Sequence, residues 1–269
     1  NAQEGLDGTT IGIVVGVVAL AWFIHRQLHI EEPLLQLRAL KTPTFAYSAV
    51  IVTVVNSALA VGSVILPIYL QNVLGLTAFE TGILMTPGAV ATIFLSPVSG
   101  MLFDRFGPRV IAIVGLTGLT ASLAALSFVD DKTMVEYLVA FYVIQSSGLT
   151  LANMPVTTWG INALPNDMIA HGNAISNTGR QVGGAVSTAL IVTVMTMVTA
   201  ANAEAGPVLS TAAGIDVAYG ISAAVAGIAL VIAVLKVRNV KKQAVASPAS
   251  QAEAPLEIEM EEAREGAAR

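Results

Sequence analysis

Several stretches of roughly twenty residues contain no Asp, Glu, Lys or Arg, and their recurrence constrains the fold more than any single motif. A helix rises about 1.5 Å per residue, so about twenty residues cross a hydrocarbon core of about 30 Å. Inside lipid every backbone amide must find its partner within the protein, which leaves only helices and closed barrels as spanning structures. A barrel would alternate apolar and polar residues in short segments, and that period is absent here. Composition agrees: 55% of residues are hydrophobic and 12% charged, too apolar for an ordinary soluble domain. The fold class is all-α, a polytopic membrane protein. With Cys 0, structural disulfides and thiolate metal sites are excluded. The formal net charge of -5 says little, because much of the acid lies in the C-terminal stretch.

Seven spans are expected. The first runs from about Thr10 to Ile24, with Gly12 and Gly16 offering a smooth face to a neighbour. An amphipathic connector from Leu28 to Thr42 follows, suited to the membrane interface. The second span covers about 44–70. Thr77-Ala78-Phe79-Glu80 has the form of a capping box, so the third starts there and runs to about Phe103, with a bend expected at Pro87-Gly88 and another at Pro97. The fourth covers about Val110 to Phe128 and ends in an acidic loop with Asp130, Asp131 and Glu136. The fifth, at about 137–157, is followed by a polar loop from Trp159 to Asn173, the sixth by a small, polar stretch at 200–215. The seventh occupies about 217–235 and leads to a basic collar of Lys236, Arg238, Lys241 and Lys242. The expected organisation is therefore an extra helix plus connector at 1–43, a six-helix bundle at 44–236, and a disordered tail at 237–269. No Met opens the chain and no signal-peptide pattern precedes the first span, so a fragment or processed chain is expected.

Basic residues set the orientation. If the first span runs outside to inside, the inner face receives Arg26, Arg38, Lys41, Arg105, Arg109 and the collar, and the outer loops carry Lys132 alone. That is the inside-positive arrangement, with a cytoplasmic tail and a location in the cell (plasma or inner) membrane.

The most patterned stretch, Gly100-Met101-Leu102-Phe103-Asp104-Arg105-Phe106-Gly107-Pro108-Arg109, is expected as a charged loop between the third and fourth spans. Gly107 permits a turn with φ > 0, and Asp104 can accept hydrogen bonds from the free amides of the next helix. A tight turn with ordinary inside-positive flanks explains the arginines alone, but the combined Gly, Asp-Arg, Gly, Arg spacing is more specific. This pattern resembles the signature loop of the major facilitator superfamily. The resemblance extends to Leu66–Gly75, Met85–Ala89 and Gly172–Ala185, and points to the fourteen-helix drug:proton antiporter group. It implies a six-helix C-terminal bundle preceded by one extra transmembrane helix, and secondary active transport, most specifically proton-coupled multidrug efflux. It further implies a conformational gate at Gly100, Asp104, Arg105, Gly107 and Arg109. Pro108 departs from the family pattern, in which a basic residue often stands there.

Depth is informative for charges. Arg180 is the one ionisable residue well inside a span as drawn, and it has two readings: it snorkels to the interface, or it serves gating and electrostatic coupling. Gly183 and Gly184 beside it form a packing face, and Pro87 and Gly88 a second gating element. No Asp, Glu or His lies at depth to relay protons, so proton coupling is implied by the resemblance and not located in these residues. The superfamily architecture implies that the second and fifth spans line the central cavity. Their candidates are Asn56 and Tyr69 on one, and Phe141, Tyr142, Gln145, Asn153 and Met154 on the other. Such residues suit a small hydrophobic or cationic drug-like substrate, and they equally serve as bridges between packed helices. His25, His29 and His171 show no metal-ligand spacing, and no phosphate-binding loop provides an ATP motor. The basic residues trace a membrane surface, not a nucleic-acid site. The expectation is a transporter without cofactor or metal, not an enzyme, with the bilayer, the substrate and protons as partners. Alternatives are an exporter of lipid, sugar or metabolite on the same fold, or a non-transporting membrane scaffold.

Overall fold

The computed structural model describes residues 37–129 and 133–238, with Val15, Gly16, Val18, Trp22 and Arg26 upstream. Most of the expected first span and of the connector, His25, His29, the acidic loop at Asp130 and Asp131, and the tail from residue 239 lie outside the described residues. The described part is helical throughout. Helices α1 (Pro43–Asn72), α2 (Ala78–Leu126), α3 (Val135–Ile161), α4 (Ile169–Ala201) and α5 (Pro207–Lys236) are joined by short connections, with single 3-10 turns at Leu37–Lys41, Asn166–Met168 and Ala203–Ala205.

All five helices are long and apolar enough to cross a membrane. Local chemistry explains where they start. Pro43 and Pro207 occupy the first turns of α1 and α5, where a missing N–H leaves nothing unsatisfied. The expected capping box opens α2: Glu80 N–H donates to Thr77 Oγ1 at 3.2 Å, and Thr77 N–H donates to the Glu80 carboxylate at 2.8 Å.

Helix α2 has 49 residues, about 74 Å at ordinary helical rise, which is more than twice the hydrocarbon thickness. It crosses twice. Its backbone leaves helical geometry only at Gly107 (φ 80, ψ 170), which divides it into arms at 78–106 and 108–126. Helix α3 serves as a ruler for their directions. Gly88 faces Tyr142 and Gly100 faces Met154, so the first arm advances with α3. Gly118 faces Ile144, Gly115 faces Ala152, and Tyr137 Oη donates to Ala125 O at 2.9 Å, so the second arm runs against it. The chain therefore reverses at Gly107. The expected loop at 100–109 is corrected: residues 100–106 are the last turns of the first arm, and one glycine makes the turn. Pro108 has no N–H to lose at the start of the next arm, so the reversal needs no longer connection. No backbone break accompanies Pro87, Gly88 or Pro97. Gly88 instead admits the Tyr142 ring, which would lie 2.4 Å from a Cβ there.

Other contacts order the remaining helices. Ser48 Oγ donates to Val156 O at 2.6 Å, and Gly62 sits on Gln145, so α1 opposes α3. Thr53 meets Gly179 and Gly183 while Ser57 meets Gly183, so α1 runs along α4. Gly214 against Met195 and Thr199 sets α5 against α4. The six crossings share a core that includes Ile65, Leu70, Leu116, Leu119, Leu123, Leu138 and Ile215, all fully buried. Phe79, Ile93, Phe94 and Met101 on the first arm of α2 are exposed, as a lipid-facing surface requires.

The same registers collect chain ends. Phe45 packs with Leu164, Lys236 Nζ lies 5.3 Å from the Tyr47 ring, and Arg109 Nη2 donates to Val234 O at 3.2 Å. One end of the bundle thus gathers the start of α1, the Gly107 turn, the α3–α4 connection and the end of α5. Arg38, Lys41, Arg105, Arg109, Lys236 and Arg238 belong to it. Among the described residues, the turns at the opposite end carry no Lys or Arg.

Candidate functional site

The parallel pair α1 and α4 holds the candidate site. Gly183 sets their closest approach, because a Cβ there would stand 2.2 Å from Thr53 Cγ2. Beside that contact lies a groove of about 860 Å³. Its floor is cut by Gly184, Ala185 and Ala189, whose missing side chains make the volume. Leu59 and Val192 give it apolar wall, and Asn56, Ser63, Arg180, Gln181, Thr188 and Thr193 give it polar groups. Arg180, Gly184, Thr188 and Val192 recur every fourth residue, which places them on one stripe of α4.

Hydrogen bonds fix how the polar groups present themselves. Thr188 Oγ1 donates to Gly184 O at 2.9 Å and Thr193 Oγ1 donates to Ala189 O at 2.7 Å, so both hydroxyls turn only acceptor lone pairs outward. Asn56 Nδ2 donates to Val52 O at 2.8 Å, keeping its amide oxygen as an acceptor. Arg180 donates one N–H to Asn177 Oδ1. It is the one charged residue lining the groove, and among the described residues it makes no ion pair.

Arg180 lies deeper than the sequence implied, since α4 begins at Ile169 and not near residue 174. The helix has 33 residues, about 50 Å, and Arg180 is five residues, about 8 Å, from its midpoint. With α4 centred in a core of about 30 Å, the Arg180 backbone sits about 7 Å inside the interface and its side chain turns back toward Asn177 and the nearer helix end; an arginine facing lipid at the helix centre costs about 2.5–3.5 kcal/mol. Facing a groove open to solvent relieves that penalty.

The other candidates distribute elsewhere. Asn56 lines the groove, as does Gly184. Tyr69 is in the buried core. Phe141 stacks on Tyr137 with ring centroids 4.5 Å apart, and Tyr142 covers Gly88. Gln145, 2% exposed, is wedged under Gly62 and donates weakly to Ala58 O at 3.4 Å. Asn153 is half-buried, and Met154 is 48% exposed beside Gly100. Helix α3 is thus clasped by α1 and both arms of α2, and none of its candidates reaches the groove. Gln181, Thr188 and Thr193 did not stand out in the sequence, although Thr188 continues the every-fourth-residue row of Arg180 and Gly184, and Gln181 and Thr193 lie on the adjacent row through Ala185 and Ala189.

At the Gly107 turn, Arg109 donates to Val234 O in the last turn of α5, and the Arg105 guanidinium lies 5.4 Å from the Phe106 ring. Asp104 is exposed in the last turns of the first arm, and among the described residues nothing hydrogen-bonds to it. Its expected capping of the next helix is corrected: the residue preceding that helix is Gly107, and Asp104 is held in helical backbone one turn earlier. A second correction concerns charge at depth. Because α5 starts at Pro207, Asp216 lies more than two turns inside it, half-buried, with Oδ1 shielded from solvent. Small and hydroxylated residues at 207–216 lower local hydropathy, although Gly214 packs closely on α4.

Comparison with known proteins accords with this architecture. The family profile described as Major Facilitator Superfamily matches residues 8–188. The chain is 40% identical over 200 residues to the uncharacterized MFS-type transporter YhcA of Bacillus subtilis, covering 72% of this chain and 38% of that protein. It is 34% identical over 228 residues to the lincomycin resistance protein LmrB of Listeria innocua, covering 84% and 47%. To a multidrug resistance protein B homolog of Mycobacterium tuberculosis it is 27% identical over 189 residues, covering 69% and 35%. The chain spans less than half the length of each of these relatives. With a profile match over most of its length, six membrane crossings and the Gly107 reversal, the chain belongs to the Major Facilitator Superfamily.

Proposed function

We propose that the chain is the C-terminal bundle of a proton-coupled multidrug exporter that works by alternating access. The observation that carries this reading is the groove along α1 and α4, an amphipathic cleft of about 860 Å³ exposed on one face of the bundle. Such a volume matches a drug-sized molecule, and a face of this kind suits a second bundle rocking against the first. The names of the relatives in Listeria and Mycobacterium support resistance to drugs as the physiological output. The substrates are small hydrophobic drug-like molecules, among which the family resemblance implies cationic ones. The bundle end that gathers Arg38, Lys41, Arg105, Arg109, Lys236 and Arg238 faces the cytoplasm of a cell membrane, following the inside-positive rule. At that end the Gly107 turn is the inner gate, with exposed Asp104 as the latch that engages the other bundle. Gly183 on Thr53 and Gly88 on Tyr142 are the packed contacts across which helices shift.

One experiment addresses export, coupling and latch together. The full-length protein is expressed in cells lacking their own drug exporters, and efflux of hydrophobic dyes, cationic, neutral and anionic, is followed with and without collapse of the pH gradient. Efflux that stops on collapse is expected. Efflux that persists refutes proton coupling, and none from a panel of drugs refutes the exporter. Asp104→Asn should slow efflux and alter access of a cysteine reagent to the inner gate; no change in either removes the latch.

A further inference from the structure

We infer that the α1–α4 groove is a subsite for the oxyanion of an amphiphile, a carboxylate or phosphate carried on an apolar body, with Arg180 as its receptor. The inference rests on reading the groove as part of the substrate path, and it narrows the substrate class within that reading.

Charge is the first argument. Arg180 is the one ionisable residue lining the groove, and its nearest polar partner is the neutral amide oxygen of Asn177. A guanidinium is always charged and offers five donors in a planar fork, of which Asn177 takes one. The remaining donors match two oxygens of a carboxylate or phosphate. In a cleft with apolar wall on its flanks, that charge favours an anionic ligand and opposes a cationic one by the same Coulombic interaction.

The donor inventory is the second. The hydroxyls of Thr188 and Thr193 donate to helix carbonyls and so present acceptors, while the Asn56 amide gives one N–H to Val52 O and keeps its oxygen and a second N–H. Arg180 and the Gln181 amide beside it are the donors at one end of the groove, and Asn56 adds one N–H about a turn farther along.

The third is polarity along the groove. Since α1 runs along α4 with Thr53 and Ser57 beside Gly183, Arg180 and Gln181 stand at one end of the groove, Asn56 about a turn farther along beside Gly184, and Leu59 and Ser63 level with Thr188, Ala189 and Val192. One end is cationic, and the other is apolar with isolated acceptors. A ligand of matching shape has an oxyanion head and an apolar body.

Two sources share this chemistry: a lipid headgroup and a free amphiphilic acid. Binding of dansylaminoundecanoic acid and of its methyl ester to the full-length protein in phosphatidylcholine nanodiscs tests the inference by fluorescence. Wild type should bind the acid about tenfold or more tightly than Arg180→Gln does, with Arg180→Lys between them and ester binding alike in all three. In nanodiscs containing phosphatidylglycerol, a weakened acid signal in wild type assigns the site to lipid headgroups, and an unchanged signal assigns it to free acids; both uphold the oxyanion subsite. Equal binding of acid and ester, equal acid binding by Arg180→Gln, or no acid binding by wild type overturns it. The last is the result expected if a carboxylate elsewhere in the protein already neutralises Arg180. Should Arg180→Gln fail to fold, Ala189→Trp fills the groove from an exposed position. It should lose acid and ester together, and undiminished acid binding by it overturns the inference. The readout is binding, so an absence of efflux sinks the proposed exporter alone, whereas unselective binding by a protein that exports sinks this inference alone.

Discussion

Gly148→Ala tests the packing on which the site's placement depends. At the crossing of α3 with the second arm of α2, a Cβ on Gly148 would lie 2.6 Å from Gly115 O and 2.6 Å from Leu119 N. Ordinary contact begins at 3.4 Å, and both neighbours are backbone, which cannot rotate aside. The helices must therefore part by about 0.8 Å along a tightly packed seam, and overpacking of this kind costs about 1–3 kcal/mol. Alanine recovers up to about 1 kcal/mol through helix propensity, so a net loss of about 1–2 kcal/mol is expected. Gly118→Ala is the internal control: it lies on the same seam, but its Cβ would meet Gly148 Cα at 3.9 Å, an ordinary contact. Thermal unfolding of the purified full-length protein, followed by tryptophan fluorescence, should show Gly148→Ala melting several degrees below wild type and Gly118→Ala close to it. If Gly148→Ala melts at or above wild type, or Gly118→Ala falls as far, the close backbone approach is not what orders this seam.

Two further substitutions separate turn and core. Gly107 has φ 80 and ψ 170, a region open essentially to glycine alone, so Gly107→Ala should cost about 1–3 kcal/mol and lower the melting temperature. An unchanged melting temperature refutes the single-residue reversal. Gln145 makes one long bond, and its Oε1 finds no partner, so Gln145→Leu should hold or raise the melting temperature and leave dye efflux intact. Lost efflux in a stably folded variant would return Gln145 to the substrate path.

Much of the helical order was legible because its causes are local. The capping box at Thr77 and Glu80 depends on residues three apart, and the glycine turn depends on one residue's freedom at position 107. Helix ends were less legible. Residues 100–106, 169–173 and 207–216 carry charged, polar or small groups that lower hydropathy, yet they are helical because their faces pack, as Gly172 does on Leu164 and Gly214 on Met195. Asp216 consequently moved from a presumed loop to a helix interior. The polar residues of α3 could not be sorted from sequence, since an amide that bridges helices and one that lines a cavity look the same there.

Sequence by itself determined the membrane, the number of crossings in the described part and the gathering of positive charge at one end, because these follow from hydropathy, helical rise and the positions of Lys and Arg along the chain. Tertiary structure alone decided which polar groups meet a cavity. Gln145 disappears beneath Gly62, while Arg180 opens onto a groove with Asn56. That choice depends on which helix lies beside which, and on how closely a glycine such as Gly183 lets them approach, and neither is written in the local pattern of any one helix.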